Sequence, residues 1–234
     1  MQYLFESIGK AISLIVQRDA ELALIVWFSL KVALISTLAA AVVGIPAGFA
    51  IYLNEFRFRR TLITVLNSLL AIPTVVIALV VYAFLSRRGI LGSFNLLYTQ
   101  SAIIIGQTML VIPMIATFVL SALSNLDIRY RKTAMTLGAN RFQVAWLLLH
   151  ETKFGVAAAI AAAFGRVISE IGISMMLGGN IKGVTRTMTT AMALEYDKGE
   201  FVLAVALGLI LMAITLGINI LINYFQGNIN ERYG

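Results

Sequence analysis

The 234-residue chain has no cysteine, one histidine and three prolines, and only 12% of its residues are charged. Without cysteine there is no disulfide framework and no thiolate metal site, and the single His150 excludes a histidine metal cluster. One histidine and few carboxylates also leave no acid–base pair for catalysis. The sequence therefore predicts neither a metal site nor catalytic residues.

Apolar residues make up 60% of the chain, and the mean hydropathy is +0.91. Soluble domains carry roughly 25% charged residues, so this composition indicates a chain that folds in a lipid bilayer. A helix needs about 20 apolar residues to cross the bilayer. Five runs reach that length, approximately 22–53, 62–85, 102–123, 154–177 and 201–225. We expect an all-α integral membrane protein with five transmembrane helices, the first either tilted or preceded by an interfacial turn.

The first 20 residues do not resemble a cleavable signal peptide, because Glu6 and Lys10 interrupt the apolar positions and no basic leader is present. The apolar positions share one helical stripe: Leu4, Ile8, Ala11, Ile12 and Ile15. We expect residues 1–20 to form an amphipathic helix at the membrane interface.

The basic residues give a net charge of +7 but are scattered along the chain without an aromatic stacking platform, so we expect no nucleic-acid partner. With the N-terminus outside, nine basic residues fall on the cytoplasmic side and seven on the outer side. The short turn 56–60, with three arginines, is the kind of loop on which the positive-inside rule depends. The rule favours an outer N-terminus and a cytoplasmic C-terminus.

Residues 125–152 form a polar segment within this apolar chain. Gly138 can adopt the left-handed backbone that ends a helix. Asn140 can cap the next helix, with Gln143 reaching back from the third helical position. The segment therefore predicts a helix-turn-helix outside the membrane, where another protein can hold it.

Within this segment, Lys132, Thr133, Ala134 and Gly138 resemble the E-A-A-x-x-x-G loop of permease subunits from ATP-binding-cassette importers. Lysine replaces the glutamate, and threonine replaces the first alanine. The resemblance implies the type I importer permease fold, with residues 125–152 as a cytoplasmic coupling loop that docks in a groove of the ATPase. Its docking residues would be Arg131, Lys132, Thr133, Ala134, Met135, Thr136, Leu137, Gly138 and Ala139.

Segments 71–77, 85–92 and 168–181 resemble the molybdate, sulfate and tungstate branch of these permeases, and the last is most similar to tungstate permeases. The resemblance implies that residues 1–234 form one permease domain in the prokaryotic inner membrane. It implies a homodimer with two ATPases, an extracytoplasmic binding protein and surrounding lipid. ATP and Mg²⁺ would belong to the ATPase, and this chain would hold no cofactor. Molybdate or sulfate remains the alternative oxyanion.

Several residues inside the apolar runs are candidates for the translocation pathway or its gate. A proline within a span permits a kink beside a cavity, and hydroxyl groups suit an oxyanion better than fixed acids. Arg166 and Glu170 lie four residues apart on one helix face, so we expect them inside the bundle as a structural pair or part of a gate. The candidates are Pro73, Thr74, Arg166, Ser169, Glu170 and Ser174. An outer vestibule is expected from Asn180, Thr185, Arg186, Thr187, Thr189 and Thr190.

An ATP-independent carrier or channel is the alternative from a different class. Such carriers commonly contain inverted repeats, and no internal repeat is visible here. The glycine-rich stretch 178–183 lacks the spacing of a phosphate-binding loop and follows an apolar run. We therefore expect this chain not to be an enzyme and ATP to be hydrolysed by a partner.

Overall fold

A computed structural model describes residues 2–17 and 19–233, and in this part of the chain the regular structure is entirely helical. The bundle therefore confirms the predicted all-α fold class. Between α4 and α5 there is one short 3₁₀ turn at Gly92–Phe94. The α-helices are α1 (Gln2–Val16), α2 (Ala20–Leu53), α3 (Arg59–Leu69), α4 (Thr74–Leu85), α5 (Gln100–Ser124), α6 (Ile128–Thr136), α7 (Arg141–Glu151), α8 (Lys153–Ile168), α9 (Gly172–Gly178), α10 (Met188–Lys198) and α11 (Phe201–Tyr233).

Three helices in the described residues are long and apolar enough to cross a membrane: α2, α5 and the Phe201–Ile220 part of α11. The number rises to five when each of two bent helix pairs counts as one span. The pairs are α3 with α4, bent by 99°, and α7 with α8, bent by 71°. The predicted runs 22–53, 102–123 and 201–225 correspond to the three continuous helices, and the run 62–85 corresponds to α3 with α4. The run 154–177 instead covers α8 and α9, so the pairing of α8 with α7 was not predicted.

Helix α2 begins where the Asp19 carboxylate accepts a hydrogen bond from the Leu22 amide at 2.9 Å. It continues as one helix of 34 residues, so the over-long first run has no separate interfacial turn. At 1.5 Å per residue it is about 51 Å long, well beyond the roughly 30 Å of bilayer hydrocarbon. A tilted span is the arrangement that fits this length.

Helices α2 and α5 pack closely along their middle sections. A Cβ added at Gly44 would lie 2.9 Å from Ile115 Cβ, and one at Gly48 would lie 2.8 Å from the Ala116 carbonyl oxygen. Small residues at this spacing let two helix backbones approach each other in the membrane. This pair forms the centre of the buried core, to which α8 adds Ala159 and Ala163.

Two of the predicted spans are interrupted where the sequence favours a break. Residues 70–73 separate α3 from α4, because proline lacks the amide hydrogen needed to continue the helix. Residues Ser169–Ile171 separate α8 from α9. Pro113, by contrast, lies inside α5 without ending it. The predicted interruption by proline therefore occurs at Pro73, whereas the helix continues through Pro113.

Long-range hydrogen bonds and ion pairs assign the loops to the two ends of the bundle. Near the start of α2, Glu21 pairs with Lys182 at 2.6 Å, and Lys31 donates to Gln100 at the start of α5. At the other end of α2, Arg131 donates to the Leu53 carbonyl oxygen. The 86–99 loop and the 180–187 loop therefore lie at the end opposite to the polar segment.

The N-terminal helix α1 packs against α11. On its predicted apolar stripe, Ala11 is buried, Ile15 is half-buried and Ile12 is exposed. The side chains of Leu4 and Ile8 lie outside the described residues. Part of the stripe therefore packs on the protein itself, and Ile12 remains open for contact with a membrane interface.

Candidate functional site

The two interrupted spans meet at their breaks. A Cβ added at Gly172, the first residue of α9, would lie 3.2 Å from Thr74 Oγ1 and 3.3 Å from Glu170 Oε1. Both distances are shorter than an ordinary Cβ contact, so a side chain at this position would require the two oxygens to shift by a few tenths of an ångström. Thr74, Glu170, Gly172 and Ser174 therefore form what we call the central junction, which joins α4 to α8 and α9.

Glu170 is the most connected side chain of the central junction and is 4% exposed. Its Oε2 pairs with Arg166 Nη1 at 2.6 Å. Its Oε1 accepts hydrogen bonds from the amides of Gly172 at 2.9 Å and Ile173 at 3.4 Å. The carboxylate thus satisfies amides that begin α9, where a negative charge is also favoured by the helix dipole. Glu170 lies in the bundle interior, as expected, whereas the Arg166 side chain is 40% exposed.

A chain of buried polar side chains extends from the central junction into α5 and α2. Ser174 Oγ donates to the Glu170 carbonyl oxygen at 3.3 Å and accepts from Gln107 Nε2 at 3.3 Å. Gln107 Oε1 accepts from Ser36 Oγ at 3.0 Å. Sequence reasoning missed Ser36 and Gln107. The signal available was a polar side chain inside a strongly apolar run, where an unpaired hydrogen-bonding group is costly.

The threonines of the 180–187 loop and of the first turn of α10 are packed inside the protein. Thr185, Thr187, Thr189 and Thr190 are all buried, and Thr189 Oγ1 donates to the Glu170 carbonyl oxygen at 3.0 Å. The expectation that these four residues line an open outer vestibule is therefore wrong. Their hydroxyl groups satisfy backbone and neighbouring threonine groups, as the capping box of α10 shows.

Five of the six pathway candidates fall into two groups, and the sixth, Arg166, is partly exposed and pairs with Glu170. Thr74, Glu170 and Ser174 come together in the central junction. Pro73 and Ser169 are exposed, and Ser169 Oγ donates to the carbonyl oxygens of Gly165 and Arg166. The arrangement combines a buried hydrogen-bonded frame with the partly exposed Arg166 guanidinium, whose charge is paired with Glu170.

A cleft of about 590 Å³ opens between α5, α8 and α11 near the polar segment. Small residues form its α8 wall: Gly155, Ala158, Ala159 and Ala162. Residues three or four apart lie on one helix face, so this wall continues along α8 toward Arg166. The cleft therefore lies on the same face of α8 as the exposed member of the Arg166–Glu170 pair.

In the polar segment, α6 and α7 form the predicted helix-turn-helix. Gly138 has φ +82°, the left-handed conformation that favours glycine after a helix. The Asn140 side chain accepts from the Gln143 amide at 2.9 Å, and the Gln143 side chain accepts from the Asn140 amide at 2.8 Å. Both hydrogen bonds of the predicted capping box are present.

The outer surface of this helix-turn-helix presents apolar side chains to its surroundings. Leu137 is 82% exposed, Phe142 is 77% exposed and Met135 is 56% exposed. Exposed cations surround them at Arg129, Lys132 and Arg141. Exposed apolar patches with a polar rim are typical of protein interaction sites.

Arg131 differs from its neighbours in this segment. It is half-buried, and its Nη2 donates to the Leu53 carbonyl oxygen at 3.0 Å. Arg59 makes the same kind of contact, with Nε donating to the Ile51 carbonyl oxygen at 3.0 Å. Two arginines thus satisfy carbonyl groups in the last turn of α2, which have no partner within the helix. Arg131 links α6 to α2, while Ala134 and Ala139 are half-buried against the core.

Two known proteins show what this chain is similar to. The tungstate uptake system permease protein TupB of Peptoclostridium acidaminophilum is 39% identical over 226 residues, which cover 97% of this chain and 99% of that protein. The molybdenum transport system permease protein ModB of Escherichia coli K12 is 28% identical over 175 residues, covering 71% of this chain and 76% of that protein.

The fold is also similar to a solved structure, the inward-facing MetNI methionine ABC transporter. The TM-score is 0.71 at 19% identity, and the match covers 88% of this chain and 94% of that chain. Residues 40–233, which include the central junction and the polar segment, match the family described as the binding-protein-dependent transport system inner membrane component. The chain belongs to this family and is a permease subunit of an ABC importer.

Proposed function

We propose that this permease imports tungstate into the cytoplasm. The observation that supports the proposal most strongly is the 39% identity to a tungstate permease along nearly the full length of both chains. The molybdenum transport permease ModB matches a shorter part of this chain, at a lower identity of 28%. Molybdate is therefore the second candidate substrate.

In the proposed orientation the N-terminus is outside and the polar segment lies in the cytoplasm. Supporting this assignment, the end of the bundle with the polar segment carries Arg57, Arg60, Arg129 and Lys132 as exposed cations. Exposed basic residues in short loops favour the cytoplasmic side. The same orientation places the 86–99 and 180–187 loops outside.

The proposed complex contains two copies of this chain, two cytoplasmic ATPases and an extracytoplasmic binding protein. ATP and Mg²⁺ would be held by the ATPases, and this chain would contribute no catalytic group. The exposed apolar side chains of Met135 and Leu137 would bind in a groove of the ATPase. Arg131 would transmit movement of α6 to the end of α2 through its contact with Leu53.

Alternating access would act on the interrupted helices. Because Thr74 and Gly172 belong to different spans and meet closely, a change in their packing alters the space beside Arg166 and Ser169. Closure of the ATPases would bring the two coupling loops together and open the path outward for the anion. Hydrolysis would reset the path inward. Glu170 would hold the start of α9 in place during this movement.

Uptake by reconstituted vesicles tests the substrate directly. The vesicles would contain this chain, its ATPase and its binding protein, and uptake of tungstate would be measured against excess molybdate and then excess sulfate. We expect ATP-dependent tungstate uptake that resists both competitors. Strong competition by molybdate would replace the proposal with a shared oxyanion importer, and effective competition by sulfate would contradict selectivity for the larger anions.

A further inference from the structure

The loop between α4 and α5, residues 86–99, encloses a second cleft of about 510 Å³. We call it the external cleft, since it lies at the end of the bundle opposite to the polar segment. Its lining combines two guanidinium groups, one carboxamide and two phenol groups with a small number of apolar side chains. These polar side chains belong to Arg87, Arg88, Asn95, Tyr82 and Tyr98, and the Ser86 hydroxyl group also lines the cleft.

The backbone holds the two arginines on a tight turn. A Cβ at Gly89 would collide with the carbonyl oxygens of Ala83 and Phe84, so only glycine permits this return of the chain over the end of α4. The Gly89 amide donates to the Ser86 carbonyl oxygen at 2.7 Å, and the Leu91 amide donates to Phe84 at 3.0 Å. The arginines are therefore carried by an internally hydrogen-bonded turn.

The charges of Arg87 and Arg88 are not neutralised within the described part of the chain. Neither guanidinium group has an ion-pair or hydrogen-bond partner there. The other basic side chains at this end differ: Lys182 pairs with Glu21 at 2.6 Å, and Lys198 pairs with Glu195 at 2.9 Å. The two arginines therefore remain free to bind an anion.

The phenol groups of the external cleft are suited to donate hydrogen bonds. The hydrogen bond with Tyr82 raises the pKa of Tyr98 above its ordinary value, so one phenol hydrogen is used within the pair and the other is left for a ligand. Guanidinium groups form charge-assisted hydrogen bonds with oxyanions, often with two N–H groups at once. The cleft thus offers cationic and neutral donors to a tetrahedral anion, and its described lining includes no carboxylate.

The external cleft is also connected to the central junction. The Tyr98 amide donates to the Leu177 carbonyl oxygen at 2.8 Å, and the Tyr98 ring lies against Gly179. These contacts hold the end of α9, whose start is held by Glu170. A single seven-residue helix therefore separates the external cleft from the central junction.

We propose that Arg87 and Arg88 form an extracytoplasmic site that binds the tetrahedral oxyanion before it reaches the central junction. The inference rests on the proposed function, since it assumes that the ligand is the transported anion and that the 86–99 loop lies outside the membrane. Binding there keeps the anion beside the path after the binding protein releases it. The site should bind weakly, because both arginines are exposed and their attraction is screened by salt.

Chemical protection of arginine tests this site on the purified permease–ATPase complex in lipid nanodiscs. Phenylglyoxal modification of Arg87 and Arg88 would be measured by mass spectrometry with and without sodium tungstate, at equal ionic strength adjusted with chloride. Arg57 and Arg60, exposed at the other end, serve as internal controls. We expect tungstate to slow modification of Arg87 and Arg88 at least threefold and to leave the controls unchanged.

A matched pair of variants extends the test to transport. The double variant Arg87→Gln with Arg88→Gln removes both positive charges of the cleft. The control Lys182→Gln removes one positive charge at the same end of the bundle but outside the cleft. At low tungstate concentration we expect uptake to fall at least fivefold in the double variant, through a higher KM, and less than twofold in Lys182→Gln. Near-normal uptake at saturating tungstate would show that the double variant folds.

Three results would overturn the site. The first is equal modification of Arg87 and Arg88 with tungstate and with chloride. The second is that, in a parallel sample, anion-free binding protein protects the two arginines and tungstate does not, and the third is unchanged uptake by the double variant at low tungstate concentration. The second result would identify a protein-docking surface in place of an anion site. ATP-dependent tungstate uptake by the unmodified complex separates the two proposals. If that uptake occurs without arginine protection, only the external site is rejected, whereas its absence rejects the proposed function.

Discussion

The central junction and the polar segment are both rich in polar groups, but they use them in opposite ways. In the central junction the polar groups are buried and bonded to distant parts of the chain, as Gln107 is to Ser36 and Ser174. In the polar segment, Asn140 and Gln143 bond to each other and Arg131 alone among the cations of this segment is described as bonding to α2, while apolar side chains face outward. One region holds helices together inside the protein, and the other exposes an apolar surface.

This difference predicts two kinds of failure. Because an unpaired buried polar group costs about 1–3 kcal/mol, damage to the central junction should lower the stability of the permease as well as uptake. Changes at the exposed surface of the polar segment should leave stability nearly unchanged and impair assembly or coupling. Measuring both the free energy of unfolding and the uptake rate of each variant therefore tests whether the two regions differ in this way.

The largest effect is expected for Glu170→Ala, which leaves Arg166 unpaired and removes the acceptor of the α9 amides. We expect a loss of about 2–3 kcal/mol in the free energy of unfolding, below the usual cost of breaking a fully buried pair because Arg166 is partly exposed. Uptake should fall to roughly a tenth or less of the original rate, because the start of α9 loses its support. Thermal unfolding in detergent and vesicle uptake would measure the two effects.

The control for that variant is Leu38→Ala on the exposed face of α2, where Leu38 is 52% exposed. This substitution removes most of an apolar side chain and breaks no hydrogen bond. Equal, mild losses of uptake in the two variants would exclude the Arg166–Glu170 pair from the mechanism.

A second prediction concerns Gly138→Val in the polar segment. Since Gly138 has φ +82° and a Cβ there would meet no neighbour within 4 Å, the strain would come from the backbone alone. A left-handed conformation costs an ordinary residue about 1–2 kcal/mol, and a β-branched one more, so the turn should rearrange. We expect at least a fivefold fall in uptake and weaker co-purification of the ATPase.

Gly138→Asn is the matched variant, because asparagine tolerates the left-handed conformation. It should retain most of the uptake and the ATPase association. If Gly138→Val assembles and transports like the original chain, the turn geometry is not needed for coupling.

A smaller effect should distinguish Arg131 from Lys132. Arg131→Met removes the hydrogen bond to Leu53, whereas Lys132→Met changes an exposed cation. We expect Arg131→Met to reduce uptake about threefold to tenfold while ATPase association persists, a loss of coupling of about 0.7–1.4 kcal/mol. Lys132→Met should instead affect association. The ratio of uptake to ATP hydrolysis measures the difference, and identical behaviour of the two variants would contradict a separate role for Arg131.

The smallest predicted effect is that of Ser174→Ala, which removes the acceptor of Gln107 Nε2. Loss of one hydrogen bond to a neutral partner should lower the free energy of unfolding by about 1 kcal/mol. We expect uptake to remain within about threefold of the original value. Denaturation in detergent would check the value, and no measurable change would show that the Ser36–Gln107–Ser174 chain does not support the central junction.

The sequence predicted local features well because their cause is local. The capping box of Asn140 and Gln143, the left-handed Gly138 and the break at Pro73 depend on residues a few positions apart. The Arg166–Glu170 pair follows from its four-residue spacing. Each of these could be inferred from helix geometry and from the cost of an unpaired charge.

Features that depend on distant contacts could not be inferred in the same way. The hydrogen bond from Gln107 to Ser174 joins residues 67 apart, and that from Arg131 to Leu53 joins residues 78 apart. The threonines around Thr187 were predicted to line an outer vestibule, but they are buried. Composition does not reveal whether a threonine hydroxyl group faces water or forms hydrogen bonds inside the protein. Tertiary packing decides that question.

Dependence on ATP is the most direct test of the central claim that force applied at the polar segment moves the anion through this permease. Tungstate uptake would be measured in vesicles loaded with ATP, with a non-hydrolysable analogue or with no nucleotide, each containing this chain, its ATPase and its binding protein. The account predicts sustained uptake with ATP only. Uptake that continues at the same rate without nucleotide would contradict it and favour an ATP-independent carrier or channel.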